Sequence, residues 1–219
     1  RGPDLLWGGD IYRFHPPHGR FDGVIGGSPC QRFSRLAALI QANGYELAPD
    51  LVPEFERVVG EAAPTWWLHE NVRGAPIPAV RGYAVHAPIV NARWLGEEQS
   101  REHRMSFGRF GSGCPRLDLS PDYVALDNVS WAPRVLASGG ISGCLGPRKH
   151  KKHRTDLHGR LRSRRYFETA RRLQGLPDDW DLPSFTVRGK IRALGNAVPL
   201  PLGRAVARAV RRALGRTYT

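Results

Sequence analysis

Segments of strand length and of helix length alternate over the first 110 residues of the chain. Residues 21–27 form a short apolar run that ends in glycines, which indicates a buried strand followed by a tight turn. Apolar side chains recur with a helical period over 31–44 and 50–62. Further strands are predicted over 64–71, 83–90 and 104–110. This order predicts an α/β fold with a parallel sheet covered by helices, in which functional residues gather at the carboxyl ends of the strands.

The second half of the chain is organised differently. Residues 111–163 are rich in Gly, Ser and Pro and show no helical period, which predicts a small irregular region. Helical periodicity returns over 164–175 and 202–219. We therefore expect three regions with boundaries at 110/111 and 163/164, the last of which returns to the first.

The positive charge of the chain is confined to its C-terminal third. The formal net charge is +13, yet residues 1–145 hold 14 basic and 15 acidic side chains, whereas 146–219 hold 19 basic and 5 acidic ones. This asymmetry favours a polyanionic partner, most simply a nucleic acid. Because 29 of the 33 cations are arginine, a coding bias towards arginine is the alternative explanation.

Cysteine and apolar content exclude several classes of protein. The three cysteines are Cys30, Cys114 and Cys144. They are too few for a disulfide scaffold, no run approaches the length of a membrane span, and no signal peptide opens the chain, so a reducing cytoplasmic setting is expected. Cys144 is close in sequence to His150 and His153, but this spacing fits no standard zinc module, and no metal site is predicted.

Two polar side chains stand at predicted strand ends. Cys30 follows the strand at 21–27 and precedes a predicted helix, a position that exposes a thiol and stabilises a thiolate. Glu70 ends the strand at 64–71, where a carboxyl group can donate a proton to a ring nitrogen. A buried structural cysteine and a surface ion pair are the respective alternatives.

Two further segments carry candidate polar residues. Residues 99–104 read QSREHR and precede a strand, where cationic side chains can hold a phosphate or polarise a carbonyl; a solvated basic loop is the alternative. Gly195 and Asn196 come shortly before a predicted helix, a pattern that is also typical of a simple turn and cap.

Taken in order, six short motifs resemble those of DNA cytosine-5 methyltransferases. They are GGDI (8–11), GGSPCQRFS (26–34), HENV (69–72), QSREHR (99–104), ETARRLQGLPDDW (168–180) and ALGNAVP (193–199). The resemblance covers nearly the whole chain and implies a bacterial or phage-type enzyme with the Rossmann-like α/β fold of S-adenosylmethionine-dependent methyltransferases. It also implies a catalytic domain at 1–110, a small irregular target-recognition lobe at 111–163, and C-terminal helices at 164–219.

The resemblance implies a chemistry for three residues. Cys30 would attack carbon 6 of a cytosine flipped out of duplex DNA, Glu70 would protonate ring N3, and Arg101 would hold the base or a phosphate. Carbon 5 would then take the methyl group of S-adenosylmethionine, and loss of the carbon 5 proton would expel the cysteine.

Further contacts are implied in the same way. The expected cofactor contacts are Asp10, Ile11, Pro29, Asn196 and Ala197, with Asn196 close in space to Asp10 and Pro29. The expected nucleic-acid contacts are Gln31, Ser34, Arg104, Arg148, Lys149, Lys151, Lys152 and Arg154. The partner would be double-stranded DNA, and the protein is expected to act as a monomer.

The chain departs from the family pattern in three respects. No Phe-x-Gly-x-Gly loop precedes Asp10, and because the family holds the methionine part of the methyl donor with this loop, the chain as given is expected to bind the donor weakly and to belong to a longer protein. The usual Gln-x-Arg-x-Arg pattern is altered, so either His103 replaces the second arginine or Arg104 serves in a shifted register. The recognition region is also short. A tRNA cytosine-5 methyltransferase and an inactive nucleic-acid-binding remnant are the alternatives.

Overall fold

The computed structural model describes residues 9–34, 37–111, 113, 115–126, 132–142 and 164–215. The strands are β1 Gly23–Gly26, β2 Trp66–Asn71, β3 Tyr83–His86, β4 Ile89–Asn91, β5 Glu102–Phe110, β6 Arg134–Leu136 and β7 Gly140–Ser142. The helices are α1 Ala37–Ala42, α2 Val52–Ala62, α3 Arg164–Leu173, α4 Val187–Asn196 and α5 Leu200–Ala213. Short 3-10 turns occur at Ile11–Arg13, Gln31–Phe33, Ala92–Leu95 and Ser120–Asp122.

The chain divides into two compact units. The first comprises Arg1–Val90 and His103–Leu117, and the second comprises Asn91–Glu102 and Asp118–Thr219. These units do not follow the three ranges expected from sequence, since the segment before β5 belongs with the C-terminal part. The division into catalytic and target-recognition regions stays a prediction.

Within the described residues, five strands form one mixed sheet. Its order is β1-β2-β5-β3, and β4 also pairs with β5. Only the β1–β2 pair is parallel among the registers established, while β2 and β3 both run antiparallel to β5, so the expectation of a parallel sheet is wrong. The reason is local: β5 follows β3 and β4 without an α-helix between them, and antiparallel neighbours such as β3 and β5 need no crossover helix. The strand expected over 83–90 is divided in two at Pro88, which has no backbone N–H to donate.

The core of the first unit lies between α2 and β2. Phe55, Val58 and Val59 form the buried face of α2, as the helical period over 50–62 predicts. The Phe55 ring meets Trp67 edge to face at 5.6 Å between ring centroids. A Cβ atom at Gly26 would lie 2.7 Å from the Phe55 ring, so the glycine lets the helix approach the sheet closely.

The helix expected over 31–44 is wrong over its first part. The chain forms a single 3-10 turn at Gln31–Phe33, and Ser34 is extended, with ψ at 157°. A helix cannot pass through a residue in that conformation. Among the described residues that follow, the next helix is the short α1, Ala37–Ala42.

The second unit packs two helices against a hairpin. The buried side chains of its core are Val135, Phe167, Ala170, Leu173, Ile191 and Leu194, from β6, α3 and α4. Helix α4 was not predicted from the sequence. Gly195 and Asn196 are its last two residues, and they also precede α5, as expected, since α5 begins at Leu200. Gly195 is required there because a Cβ atom would lie 2.0 Å from the Leu136 carbonyl oxygen.

Helices α3 and α5 are confirmed close to their predicted positions. In α5, the apolar side expected from sequence is buried, with Leu202, Val206 and Val210 among its members. No helix in the described ranges combines the length and the hydropathy that crossing a membrane requires.

Candidate active site

Cys30 lies in the loop that leaves the carboxyl end of β1. Its thiol is free and half-buried, and its backbone (φ −81°, ψ −3°) begins the turn Gln31–Phe33. Because this turn is only three residues long, it lacks the aligned peptides of the helix expected at this point, and the sequence argument for a helix-stabilised thiolate loses its basis. Gln31 is exposed beside Cys30, whereas the Ser34 hydroxyl donates to the Gln31 carbonyl oxygen at 3.0 Å.

Glu70 lies beside this loop on the neighbouring strand. A Cβ atom placed at Gly27 would be 3.4 Å from Glu70 Oε2, so one carboxylate oxygen flanks the segment that leads to Cys30. The other oxygen, Oε1, is 2.6 Å from Nδ1 of His103. The His103 side chain is only 3% exposed, while that of Glu70 is 27% exposed. The carboxylate is therefore fixed from the protein side and accessible from the loop side.

The register of β2 and β5 explains why His103, and not Arg104, meets Glu70. Glu70 pairs with Met105, so His103, two residues away on β5, projects from the same face of the sheet as Glu70. Arg104 pairs with Asn71 and projects from the opposite face, where it donates to the Ala75 carbonyl oxygen. Of the two residues that the sequence offers for the second arginine of the pattern, His103 and Arg104, it is therefore His103 that contacts Glu70.

Two side chains that flank Glu70 in β2 reach the same loop from the other face. His69 Nε2 lies 2.9 Å from Ser28 Oγ, and Asn71 Nδ2 donates to Ser28 Oγ at 3.1 Å. Both strand residues are buried. The pairing of Gly26 with His69 in the parallel register brings Ser28 within their reach.

The segment expected to hold part of the cofactor is anchored on α2. Arg57 donates to the carbonyl oxygens of Ile11 at 2.7 Å and Phe14 at 3.1 Å. Arg57 also pairs with Glu61 at 2.8 Å, and these contacts raise the pKa of Arg57 and lower that of Glu61. Asp10 caps the turn by accepting from the Tyr12 N–H at 3.0 Å. Its side chain stays 45% exposed, and a carboxylate with a solvent-facing side can accept from an amino group such as that of adenine.

In the second unit, three of the sequence motifs meet at a buried pair of glutamines. Gln99 Nε2 donates at 2.7 Å both to the Leu173 carbonyl oxygen and to Gln174 Oε1. Gln174 in turn donates to the carbonyl oxygens of Leu194 and Ala197. Gln99 is fully buried and joins the segment before β5 to α3 and α4.

Arg101 belongs to the same packed region. Its Nη2 donates to the Gly195 carbonyl oxygen at 2.7 Å, and its backbone N–H donates to Asn91 Oδ1 at 3.1 Å. The Asn196 side chain folds back onto its own helix and donates to the Arg192 carbonyl oxygen at 2.8 Å. Asp10 and Pro29 belong to the first unit and Asn196 to the second, and their expected proximity stays a prediction.

Part of the C-terminal charge is neutralised within the second unit. Arg208 contacts Asp122 at 2.5 Å and Arg212 contacts it at 2.9 Å. These two cations of α5 are therefore engaged by protein, which reduces the charge that the helix offers to a polyanion. The run Arg148, Lys149, Lys151, Lys152 and Arg154 lies outside the described residues, as do Cys144, His150 and His153. The described part of the chain shows no cluster of three or more side chains able to hold a metal ion.

Comparison with known proteins assigns the family. The model of the C-5 cytosine-specific DNA methylase family matches residues 9–76 and 143–212, which is more than half of the chain. The chain belongs to this family. It is a DNA cytosine-5 methyltransferase, whose methyl donor is S-adenosylmethionine. The chain is also similar to the type II methyltransferase M1.HphI of Haemophilus parahaemolyticus, with 26% identity over 264 residues covering 90% of this chain and 70% of that protein.

Solved methyltransferase structures confirm the predicted Rossmann-like fold. The S. pombe Dnmt2 methyltransferase superposes with a TM-score of 0.56 at 14% identity, covering 88% of this chain and 78% of that one. The methyltransferase EhMeth of Entamoeba histolytica gives 0.54 at 11% identity, with the same coverage. At these identities the likeness concerns the fold alone.

Sequence reasoning missed several side chains that build this methyltransferase. Arg57 is the single arginine of the predicted helix at 50–62, and nothing in its spacing reveals contacts to residues more than 40 positions away. Gln174 stood within a motif, but its partner Gln99 is 75 positions away. Ser28 and His69 both lie inside quoted motifs, and only the parallel register of β1 and β2 pairs them.

Proposed function

We propose that this methyltransferase modifies carbon 5 of a cytosine in double-stranded DNA through a covalent bond between Cys30 and carbon 6. The observation that carries the proposal is the position of Glu70, with one carboxylate oxygen beside the Cys30 loop and the other held by His103. A nucleophile and an adjacent acid are the two groups that activation of a cytosine ring requires.

The roles of the two side chains follow from electron flow in the ring. The Cys30 thiolate adds to carbon 6, and the ring electrons move to N3, which takes a proton from Glu70. Carbon 5 is then electron-rich and accepts a methyl group, which S-adenosylmethionine supplies. The N3 proton returns to the Glu70 carboxylate. Solvent water then accepts the carbon 5 proton, the C–H electrons restore the bond between carbons 5 and 6, and Cys30 leaves carbon 6 as a thiolate. His103 orients Glu70 throughout through its hydrogen bond to Oε1, which favours the option that His103 replaces the second arginine of the family pattern.

Carbon 6 is inaccessible while a cytosine is stacked in a duplex, so we propose that the target base flips into the site. The family resemblance assigns Arg101 to the base or its phosphate. It assigns Gln31 and Ser34, which flank the turn after Cys30, and Arg104 to the DNA. Arg104 also supports the loop of Ala75 that lies beside this turn, because a Cβ atom at Gly74 would be 3.1 Å from the Phe33 carbonyl oxygen. We propose that the enzyme acts as a monomer in the cytoplasm of a bacterium or a phage-infected host.

The donor site is proposed from the family pattern and from local chemistry. Asp10 and Ile11 lie on the turn that Arg57 anchors, and the exposed carboxylate of Asp10 fits an adenine amino group. Pro29, Asn196 and Ala197 complete the proposed set of donor contacts.

Replacement of Cys30 tests the mechanism. Cys30→Ser is expected to abolish methyl transfer while the affinity for duplex DNA and the melting temperature stay within error of the parent, because the change is one atom in a half-buried side chain. Transfer of tritiated methyl groups to duplex DNA and to tRNA, measured side by side, provides the assay. Full activity of the variant would overturn the covalent mechanism, and transfer to tRNA alone would overturn the assignment of DNA as its substrate.

A further inference from the structure

We propose that Ser28 and His69 form a positioning clamp that sets the loop carrying Cys30 relative to Glu70. The clamp is defined as the Ser28 hydroxyl and backbone N–H, the His69 imidazole, and the Asn71 side-chain amide. It rests on the proposed function, since its effect is exerted through Cys30.

The hydrogen-bond directions in the clamp assign its protons. The backbone N–H of Ser28 donates to His69 Nε2 at 3.4 Å, so Nε2 acts as an acceptor. Asn71 Nδ2 donates to Ser28 Oγ at 3.1 Å and to the Ser28 carbonyl oxygen at 3.3 Å. The Ser28 hydroxyl proton is then directed to His69 Nε2, 2.9 Å away. This arrangement is complete only with a neutral imidazole that carries its proton on Nδ1.

The surroundings of His69 keep it neutral. The residue is 1% exposed, and its ring packs on Phe55 with 4.6 Å between ring centroids. Burial lowers the pKa of His69 to about 4, and the charges of Glu70 and Asp50, which act in the opposite direction, do not offset it. The clamp therefore stays intact at neutral pH.

The clamp lies close enough in the chain to affect the position of the Cys30 thiol. Ser28 is two residues before Cys30, and the intervening Pro29 has a fixed φ angle, so a displacement of Ser28 is transmitted to Cys30. His69 and Asn71 flank Glu70 in one strand, and a strand with alternating side chains holds the loop from one face while it presents Glu70 on the other. The same strand thus fixes both the proposed acid and the loop of the proposed nucleophile. A small change in the position of Cys30 relative to Glu70 is therefore expected to reduce the rate strongly.

Substitution of Ser28 separates positioning from binding. Ser28→Ala is expected to lower kcat about tenfold, with KM for DNA and for the donor within about twofold of the parent. Ser28→Thr keeps the hydroxyl and is expected to restore kcat to within about twofold. Ser106→Ala is the matched control, because Ser106 is a buried serine that pairs with His69 on the neighbouring strand. We expect this control to have parent-like kcat.

A double-mutant cycle tests whether Ser28 and His69 act as one unit. His69→Phe removes the acceptor and keeps a ring of similar size, and its kcat is also expected to fall about tenfold. The double variant Ser28→Ala/His69→Phe should then lose about as much as either single variant, because both changes break the same contact. Losses in kcat that multiply would overturn the clamp.

The reactivity of Cys30 gives a second readout that does not depend on catalysis. Its alkylation by iodoacetamide, followed on the Cys30 peptide by mass spectrometry, is expected to be about threefold faster in Ser28→Ala and unchanged in Ser106→Ala. Parent-like kcat and alkylation in Ser28→Ala would overturn the proposal. If Cys30→Ser were fully active, the covalent mechanism would fail, whereas an inactive Cys30→Ser together with a fully active Ser28→Ala would refute the clamp alone.

Discussion

The motif residues of the two units are held in opposite ways. In the first unit, Glu70 keeps one carboxylate oxygen beside an accessible loop and is supported by a buried histidine. In the second unit, Gln99 and Gln174 are buried. Gln99 donates to a backbone carbonyl oxygen and to Gln174 Oε1, and Gln174 donates to backbone carbonyl oxygens. Motifs of similar appearance in the sequence therefore contain two kinds of residue, those that can meet a substrate and those that join segments of chain.

This difference has a physical origin. A buried amide group that lacks a hydrogen-bond partner destabilises the folded state by about 1–3 kcal/mol. The glutamine pair therefore holds in place the backbone segments that supply its partners. A carboxylate that exchanges a proton with a substrate must be accessible to that substrate. It therefore forms fewer contacts with the protein and contributes less to stability. Substitutions in the first unit should consequently change rate with little change in stability, and substitutions at the glutamine pair should do the reverse.

The largest expected effect is on the rate, at Glu70. Glu70→Gln keeps the shape and a hydrogen bond to His103 but cannot transfer a proton, so kcat for methyl transfer should fall about a thousandfold. Glu56→Gln is the control, since an amide oxygen can still accept from the Ala79 N–H as Glu56 does. A parent-like kcat in Glu70→Gln would show that Glu70 does not take part in catalysis, and would contradict the assignment of catalytic residues to the first unit and structural ones to the second.

A loss of stability is expected at the glutamine pair. Gln174→Leu removes the acceptor of one Gln99 amide proton and a donor to the Leu194 and Ala197 carbonyl oxygens, and the free energy of unfolding should fall by about 2 kcal/mol. Urea unfolding measures this change, and Gln41→Leu, at an exposed position of α1, should shift it by less than about 0.5 kcal/mol. Equal effects of the two substitutions would show that the pair is not a structural junction.

The smallest expected effect concerns the pH dependence of stability in the second unit. Burial, together with the neighbouring Glu98, raises the pKa of Glu97 to about 7. The folded chain favours the protonated form, so this contribution to stability is present at low pH and is lost as pH rises from about 4.5 through 7. Glu97→Gln should therefore raise the free energy of unfolding at pH 8 by about 1 kcal/mol more than at pH 4.5, allowing for solvent screening. Glu46→Gln, at an exposed residue, should show no such difference between the two pH values.

The periodicity of apolar residues predicts the helices and strands that bury a single apolar face. It predicted α2, β2 and α5, whose apolar residues recur at regular intervals. It failed for α4, because this helix contains glycine at 189 and 195, and glycine is unfavourable within a helix. The second glycine is needed for close contact with β6, which the local sequence does not show. It also failed for the direction of β5, since the strand pattern is the same in parallel and antiparallel sheets.

The sequence proposes site residues where residue type and strand end coincide. Cys30 and Glu70 are proposed in this way, the structure places Glu70 next to the Cys30 loop, and their catalytic roles stay predictions. The roles of His103 and His69 depend on the registers of β2 with its two neighbours, and a shift of one residue would turn each side chain to the other face. Such information is not present in the spacing of one sequence.

The central claim is that Cys30 forms a covalent bond with carbon 6 of cytosine. A duplex that carries 5-fluorocytosine at the target position tests it, because after methyl transfer carbon 5 has no proton to lose and the bond to sulfur cannot break. The account predicts a protein–DNA adduct that survives denaturation, maps to Cys30 by mass spectrometry, and is absent in Cys30→Ser. A methyltransferase that modifies ordinary cytosine yet gives no adduct with this duplex, or one that maps to another residue, would contradict the account.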